Sequence, residues 1–162
     1  MKRVLVMRHG KSSWENPRWS DLERPLLRKG KRRTKKIGRF LKAQGIRPDL
    51  IVTSPARRAK ETAMIMREIL GETIPVREES VIYFGTGEDL FDVLSGLPET
   101  ADTVLLVGHN PDLTDWVNRY KEEKIWNLPT SGIFGVEFDA LSWNELIAAK
   151  WKELFYGEPK RL

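Results

Sequence analysis

The chain has 162 residues, 40% hydrophobic and 31% charged, with a formal net charge of +5. That length supports a single domain over residues 1–162 with a sizeable core, and the composition excludes global disorder. There is no apolar run long enough for a bilayer, no signal-peptide layout and no cysteine. A membrane partner, disulfides, thiolate metal sites and a cysteine nucleophile are therefore not expected, a cytoplasmic protein is, and the positive balance favours anionic ligands.

Residues 3–7 read as a first strand, because Val4, Leu5, Val6 and Met7 form a continuous apolar run. Residues 10–27 lack periodicity and read as a long loop in which Trp14 and Trp19 pack. A helix is predicted from Gly30 to Gln44, with Ile37, Phe40 and Leu41 on one face and Gly45 as its C-cap. Asp49 to Val52 is a second strand. Ser54 and Pro55 read as the N-cap and first turn of a helix to Leu70, with Ala59, Ala63, Met66 and Leu70 buried and Gly71 ending it. Thr73 to Arg77 is a third strand, followed by an irregular segment to Gly87 and a short helix from Glu88 to Ser95. Thr103 to Val107 is the clearest buried strand. Asn110 and Pro111 read as N-cap and N1 of a helix to Tyr120. After a polar loop, Ile133 to Phe138 and Lys152 to Tyr156 complete the β structure. Strands alternating with helices predict a three-layer α/β/α sandwich with a largely parallel central sheet.

The two histidines each stand at the end of a buried strand and beside a glycine, as Arg8-His9-Gly10 and Gly108-His109. The second strand delivers Ser54 and, one helical turn on, Arg58. If these strands are parallel neighbours, two imidazoles and two guanidiniums meet at one sheet edge, where ligands of open α/β sheets collect. Such a pocket suits a tetrahedral dianion: arginine supplies permanently charged forks, and helix N-termini add backbone donors. Paired histidines also suit a metal, but no carboxylates accompany these and the arginines repel a cation. Either histidine alone reads as a structural loop residue; the pair points to a shared site.

Arg8-His9-Gly10, Ser54-x-x-x-Arg58-Ala59-x-x-Thr62 and Gly108-His109 together resemble the signature of the histidine phosphatase superfamily, whose fold is phosphoglycerate-mutase-like. The wider pattern is similar to the small SixA-type phosphohistidine phosphatases. It includes Arg8 to Trp14, Asp21 to Leu26, Val81-Ile82-Tyr83, Gly108 to Pro111 and Pro129-Thr130-Ser131, and covers nearly the whole chain. The resemblance implies that His9 is the nucleophile and becomes phosphorylated. It implies that Arg8, Arg58 and His109 hold the non-bridging oxygens, with no metal or other cofactor required. The residue chemistry agrees, because phosphoryl transfer rests on positioning and charge stabilisation. His9 has to be neutral at its attacking nitrogen, a state that nearby arginines favour.

Glu15 stands where the mutase branch has a phosphate-binding asparagine, which argues against that branch, as does the shortness of the chain. Larger relatives in the superfamily place a glutamate after the third strand, so the resemblance implies a general acid at Glu79, with Glu78 the weaker candidate; two solvated surface carboxylates account for these residues at least as well. Phosphohistidine leaves as an imidazole and lessens the need for an acid. Ser12 and Ser13 are candidate phosphate donors, and ordinary loop capping accounts for them equally well. Thr130 and Ser131 are placed near the pocket, and Arg57 is read as exposed. The basic run from Arg28 to Lys36 reads as a solvated face; nucleic-acid binding and docking of an acidic protein substrate are its other readings. The expected activity is hydrolysis of phosphohistidine on a protein through a phosphohistidine enzyme intermediate. The alternatives are a phosphomonoesterase for small phosphate esters and, behind it, a non-catalytic nucleic-acid-binding module.

Overall fold

The computed structural model describes residues 1–162, Gly87 by its backbone alone. Six strands form one sheet in the order β3-β2-β4-β1-β5-β6. They are β1 (Lys2–Arg8), β2 (Leu50–Thr53), β3 (Val76–Glu78), β4 (Thr103–Gly108), β5 (Ile133–Phe138) and β6 (Trp151–Gly157). The first four in that order are mutually parallel; β5 adds antiparallel to β1, and β6 antiparallel to β5. The sheet is thus mixed, parallel from the edge strand β3 through to β1 and antiparallel on the other side.

The continuous apolar runs of β1, β2 and β4 arise because both sheet faces are covered. Leu5, Met7, Ile51, Leu105 and Val107 face one layer, built by α1 (Arg28–Ala43) and α2 (Arg57–Leu70). Val4, Val6, Val52, Val104 and Leu106 face the other, built around α4 (Gly87–Ser95), α5 (Asp112–Tyr120) and Trp143. This is the expected three-layer sandwich. No helix among the described residues is long and apolar enough to cross a membrane.

Several boundaries differ from the sequence reading. Helix α1 starts two residues early, at Arg28, because Lys31 N–H already donates to Leu27 C=O. Its end is as expected, with Gly45 at φ 72° in the left-handed region. Ser54 is not the N-cap of α2; Ala56 is, and the Ser54 hydroxyl instead accepts the Ala56 N–H at 3.1 Å across the strand-to-helix turn. Pro111, not Asn110, is the N-cap of α5. The Asn110 side chain still serves that helix, accepting the Thr114 N–H at 3.2 Å. The segment read as irregular contains one helical turn, α3 (Val81–Phe84), too short to show periodicity. A 3-10 helix over Trp143–Ala148 was not anticipated.

The long first loop is closed at its base. Ser13 N–H donates to Pro25 C=O, and Leu27 N–H to Lys11 C=O. Trp14 meets this loop on one ring face, where the Arg24 guanidinium stacks at 3.5 Å, and is otherwise 76% exposed.

Candidate active site

Strands β1, β4 and β2 are parallel neighbours in register, with Met7 opposite Val107 and Val107 opposite Thr53. The residues that follow each strand therefore emerge along one sheet edge. His9 N–H donates to Gly108 C=O, and Ser54 N–H to Val107 C=O, both at 3.1 Å. The register alone brings Arg8, His9, Ser54 and His109 together. Arg58 joins them from the first turn of α2, buried to 5% exposure, whereas Arg57 points outward as expected.

The turn after β1 is clamped from three sides. Gly10 N–H donates to the Thr62 hydroxyl oxygen at 2.9 Å, and that hydroxyl donates to Arg58 C=O at 2.7 Å. Thr62 thus ties the His9 turn to the turn of α2 that carries Arg58, which gives the arginine-to-threonine spacing a physical basis. A Cβ on Gly30 would strike the Lys11 backbone, so the start of α1 presses directly on this turn. Behind it, Ser131 N–H donates to the carbonyls of both Arg8 and His9, and the Ser131 and Thr34 hydroxyls are bonded at 2.8 Å. Ser131 holds φ at 62°, a left-handed conformation uncommon for a side-chain-bearing residue.

The His9 Nδ1 lies 2.7 Å from Gly10 C=O. A carbonyl only accepts, so Nδ1 carries the proton and Nε2 keeps its lone pair. Burial pushes the His9 pKa down to about 3, with His109, Arg58 and Arg8 adding in the same direction against the Gly10 bond. The ring is neutral at physiological pH. His109 lies 5.1 Å away, ring centroid to centroid, and is pushed down to about 4 by burial and then by Arg58. Its Nε2 lies 2.7 Å from the Ser54 hydroxyl. Since that oxygen already takes the Ala56 N–H, donation of its own proton to Nε2 satisfies both groups. The other His109 nitrogen is then an N–H donor.

Arg8 donates from Nη1 to Leu128 C=O at 3.1 Å. Burial, reinforced by Arg58, lowers its pKa. The Nε atoms of Arg8 and Arg58 are buried and have no hydrogen-bond partner among the described residues. Unsatisfied buried donors are rare. Two of them on charged guanidiniums, beside two neutral imidazoles, make a setting suited to an oxyanion. No group of three or more histidine, cysteine, aspartate or glutamate side chains among the described residues is arranged to hold a metal ion.

Three further residues wall the pocket without having been predicted for it. Asp21 accepts from Arg58 through both its backbone carbonyl, at 2.6 Å, and its carboxylate, at 2.9 Å. The same carboxylate accepts from Arg24 and, in a short bond, from the Tyr83 hydroxyl. Burial works against its ionisation, but the bonds from Tyr83 and Arg58 hold the carboxyl well below the usual range. The Tyr83 ring stands edge-on to His109, with centroids 5.4 Å apart. The predicted Ser12 spends its oxygen on Arg24, at 3.0 Å. Glu79, the expected acid, donates its backbone N–H to Thr53 C=O, while its carboxylate is paired with Arg77 at 2.8 Å. Among the described residues, no hydrogen bond or ion pair joins Glu79 to His9, Arg58 or His109.

Comparison with known proteins agrees with this architecture. The sequence profile of the Histidine phosphatase superfamily (branch 1) matches residues 4–82. An uncharacterised protein of Picosynechococcus is 31% identical over 141 residues, covering 85% of this chain and 86% of its own. An uncharacterised chloroplast protein of Arabidopsis thaliana is 28% identical over 119 residues, 67% of this chain; the match spans only 54% of that longer relative. Among solved structures, a protein of Agrobacterium tumefaciens assigned as the phosphohistidine phosphatase SixA superposes with a TM-score of 0.82 at 24% identity, covering 98% of both chains. Motif, register and relatives agree: this chain belongs to the histidine phosphatase superfamily and has the fold of the SixA structures.

Proposed function

We propose that the protein hydrolyses phosphohistidine on a protein substrate, through a covalent phosphohistidine on His9. The observation that carries this reading is the state of His9: buried, neutral, fixed by its Nδ1–H to Gly10, and flanked by arginines with unpartnered donors.

The phosphoryl group sits among Arg8, Arg58 and His109, which bind its non-bridging oxygens. The His9 Nε2 lone pair forms a new P–N bond as the P–N bond to the substrate imidazole breaks. A substrate ring protonated on its far nitrogen departs neutral and needs no proton from the enzyme. Phospho-His9 retains its Nδ1 proton on Gly10 C=O, so it too departs neutral when water attacks phosphorus. Inorganic phosphate leaves and His9 returns to its starting state. The arginines and His109 stabilise the charge on the phosphoryl oxygens as it shifts in each step.

The absence of a dedicated acid from this sequence of steps distinguishes phosphoramidates from esters. An alkoxide leaving group requires a proton. The Asp21 carboxyl is held ionised, the Tyr83 proton is committed to it, and the Glu79 carboxylate is paired with Arg77. A small phosphate ester is for that reason the second-ranked substrate. The test is phosphate release in EDTA from a phosphohistidyl protein and from an aryl phosphate, by wild type and His9→Ala. Preference for the phosphohistidyl protein, lost in the variant, is expected. Full activity of His9→Ala overturns the mechanism, and preference for the ester moves the assignment to a phosphomonoesterase.

A further inference from the structure

Beside the candidate active site lies a cleft of about 430 Å³ between the 127–130 segment, the first turns of α1 and the C-terminal 159–161 turn. Lys11, Arg33 and Lys160 line it, together with Asn127 and Thr130. Lys11 is two residues beyond His9. Asn127 is joined to the pocket through Asn110, whose amide donates to Asn127 Oδ1 and to Leu128 C=O at 2.9 Å each. Leu128 C=O also takes the Arg8 guanidinium. The cleft and the active-site residues are therefore linked through Asn110 and Leu128.

The cations of this cleft are uncommitted. Among the described residues, no hydrogen bond or ion pair engages the side chains of Lys11, Lys29, Arg33 or Lys160, while most other arginines near the site are paired. Their mutual repulsion is visible at Lys29 on the rim, whose pKa is lowered first by Arg33 and Lys11 and then by Lys160. The one carboxylate in the lining, Glu158, is already matched by Arg161 at 3.2 Å and by the Tyr156 hydroxyl at 2.8 Å. Pro129 and Pro159 supply apolar walls, and Trp126, adjoining Asn127, is 98% exposed. Unpaired cations between apolar walls suit a short segment carrying carboxylates and apolar side chains.

We propose that this cleft is a docking subsite for an acidic segment of the protein that carries the phosphohistidine, engaged by Lys11, Arg33 and Lys160 while the phosphoryl group lies at His9. The proposal rests on the phosphohistidine phosphatase reading and adds the partner's chemistry to it. It gives the positive net charge a directional use, since carboxylates near the phosphohistidine steer the correct histidine into the pocket.

The test compares two phosphohistidyl peptides that differ only in flanking residues, Asp and Glu in one, Asn and Gln in the other. They are presented to wild type and to the double variant Arg33→Gln/Lys160→Gln, neither residue being part of the reacting site. Two partly exposed ion contacts correspond to about a tenfold lower KM for the acidic peptide with wild type. The variant is expected to lose most of that preference, with kcat, aryl phosphate turnover and melting temperature unchanged. Equal KM values in wild type, or a preference that survives in the variant, overturn the subsite. If wild type cleaves neither peptide, the phosphatase reading fails on its own. Calorimetric titration with the unphosphorylated acidic peptide then decides the cleft: binding lost in the variant supports it, and no binding to wild type overturns it. Displacement of that peptide by a lower concentration of a single-stranded oligonucleotide overturns the acidic segment in favour of nucleic acid.

Discussion

Thr62→Val tests whether the pocket depends on a hydroxyl that touches no substrate. Thr62 is fully buried, and its oxygen both accepts the Gly10 N–H and donates to Arg58 C=O. Valine keeps the shape and removes both bonds. The Arg58 carbonyl remains within the α2 hydrogen-bond ladder, so its loss is small. Gly10 N–H is left buried and unpaired, which costs about 1–3 kcal/mol. For a chain of this size a loss of about 2 kcal/mol lowers Tm by about 4–8 °C, well short of unfolding. The larger effect falls on catalysis. Gly10 is also the residue whose carbonyl fixes the His9 tautomer, so freeing its N–H loosens the nucleophile. Misplacement of about 1 Å is worth about 100-fold in rate. We expect kcat to fall by about 10- to 100-fold with KM little changed, whereas Thr62→Ser, which keeps the hydroxyl, retains most activity despite losing a buried methyl. Urea unfolding and steady-state phosphate release on the same samples separate the two effects. Equal activity of the Val and Ser variants would refute the claim that Thr62 couples the two motifs.

Two more predictions concern charge. Asp21→Asn removes a carboxylate that Arg58 binds at 2.9 Å, so phosphate or vanadate, as product and transition-state mimics, should inhibit the variant more tightly, by about fivefold, the factor for about 1 kcal/mol; unchanged inhibition constants would show that Asp21 does not compete for the cradle. His9 and His109 titrate at about 3 and about 4 in the folded chain against 6.5 unfolded. Below pH 6.5 the unfolded state binds protons that the folded state does not, so stability is full above that pH and falls as pH falls, until each folded histidine titrates. At pH 5 the loss is about 2 kcal/mol for each histidine. Urea titrations should therefore show a drop of about 4 kcal/mol between pH 7 and pH 5 in wild type and about 2 kcal/mol in His9→Gln; identical drops would mean that His9 is not held neutral by the fold.

The central strands were legible because burial on both faces writes itself into sequence as an unbroken apolar run, as in Leu105-Leu106-Val107. The same strands being parallel neighbours is what makes Arg8, His9 and His109 converge, so the reading of the site followed from the reading of the strands. What remained illegible depends on contacts between distant segments. Asp21 meets Arg58, Tyr83 and Arg24 across as many as 62 positions of chain, and no local pattern marks it. Helix α3 is a single turn, below the length at which periodicity exists. Ser54, followed by proline, has the local signature of an N-cap, but a tertiary partner, His109, claims its hydroxyl. Glu79 was judged on its position along the chain, whereas its neighbour Arg77 determines what its carboxylate does.

Asp21 also explains how so cationic a pocket can exist in the free protein. Arg8, Arg24 and Arg58 are gathered around two neutral imidazoles, and each guanidinium removed from water needs compensation. The carboxylate supplies it for two of them, binding Arg24 and Arg58 together. Arg58 donates once from each Nη to Asp21, while its Nε is buried without a partner among the described residues. Among the described residues Arg8 pairs with no carboxylate and donates to one neutral carbonyl, and burial lowers its pKa. Of the two guanidiniums proposed to bind phosphate, Arg8 is therefore the less compensated, and a dianion has most to gain beside it. Neutralising Arg8 should accordingly weaken oxyanion binding more than neutralising Arg58, an order readable from the inhibition constants of vanadate with Arg8→Gln and Arg58→Gln.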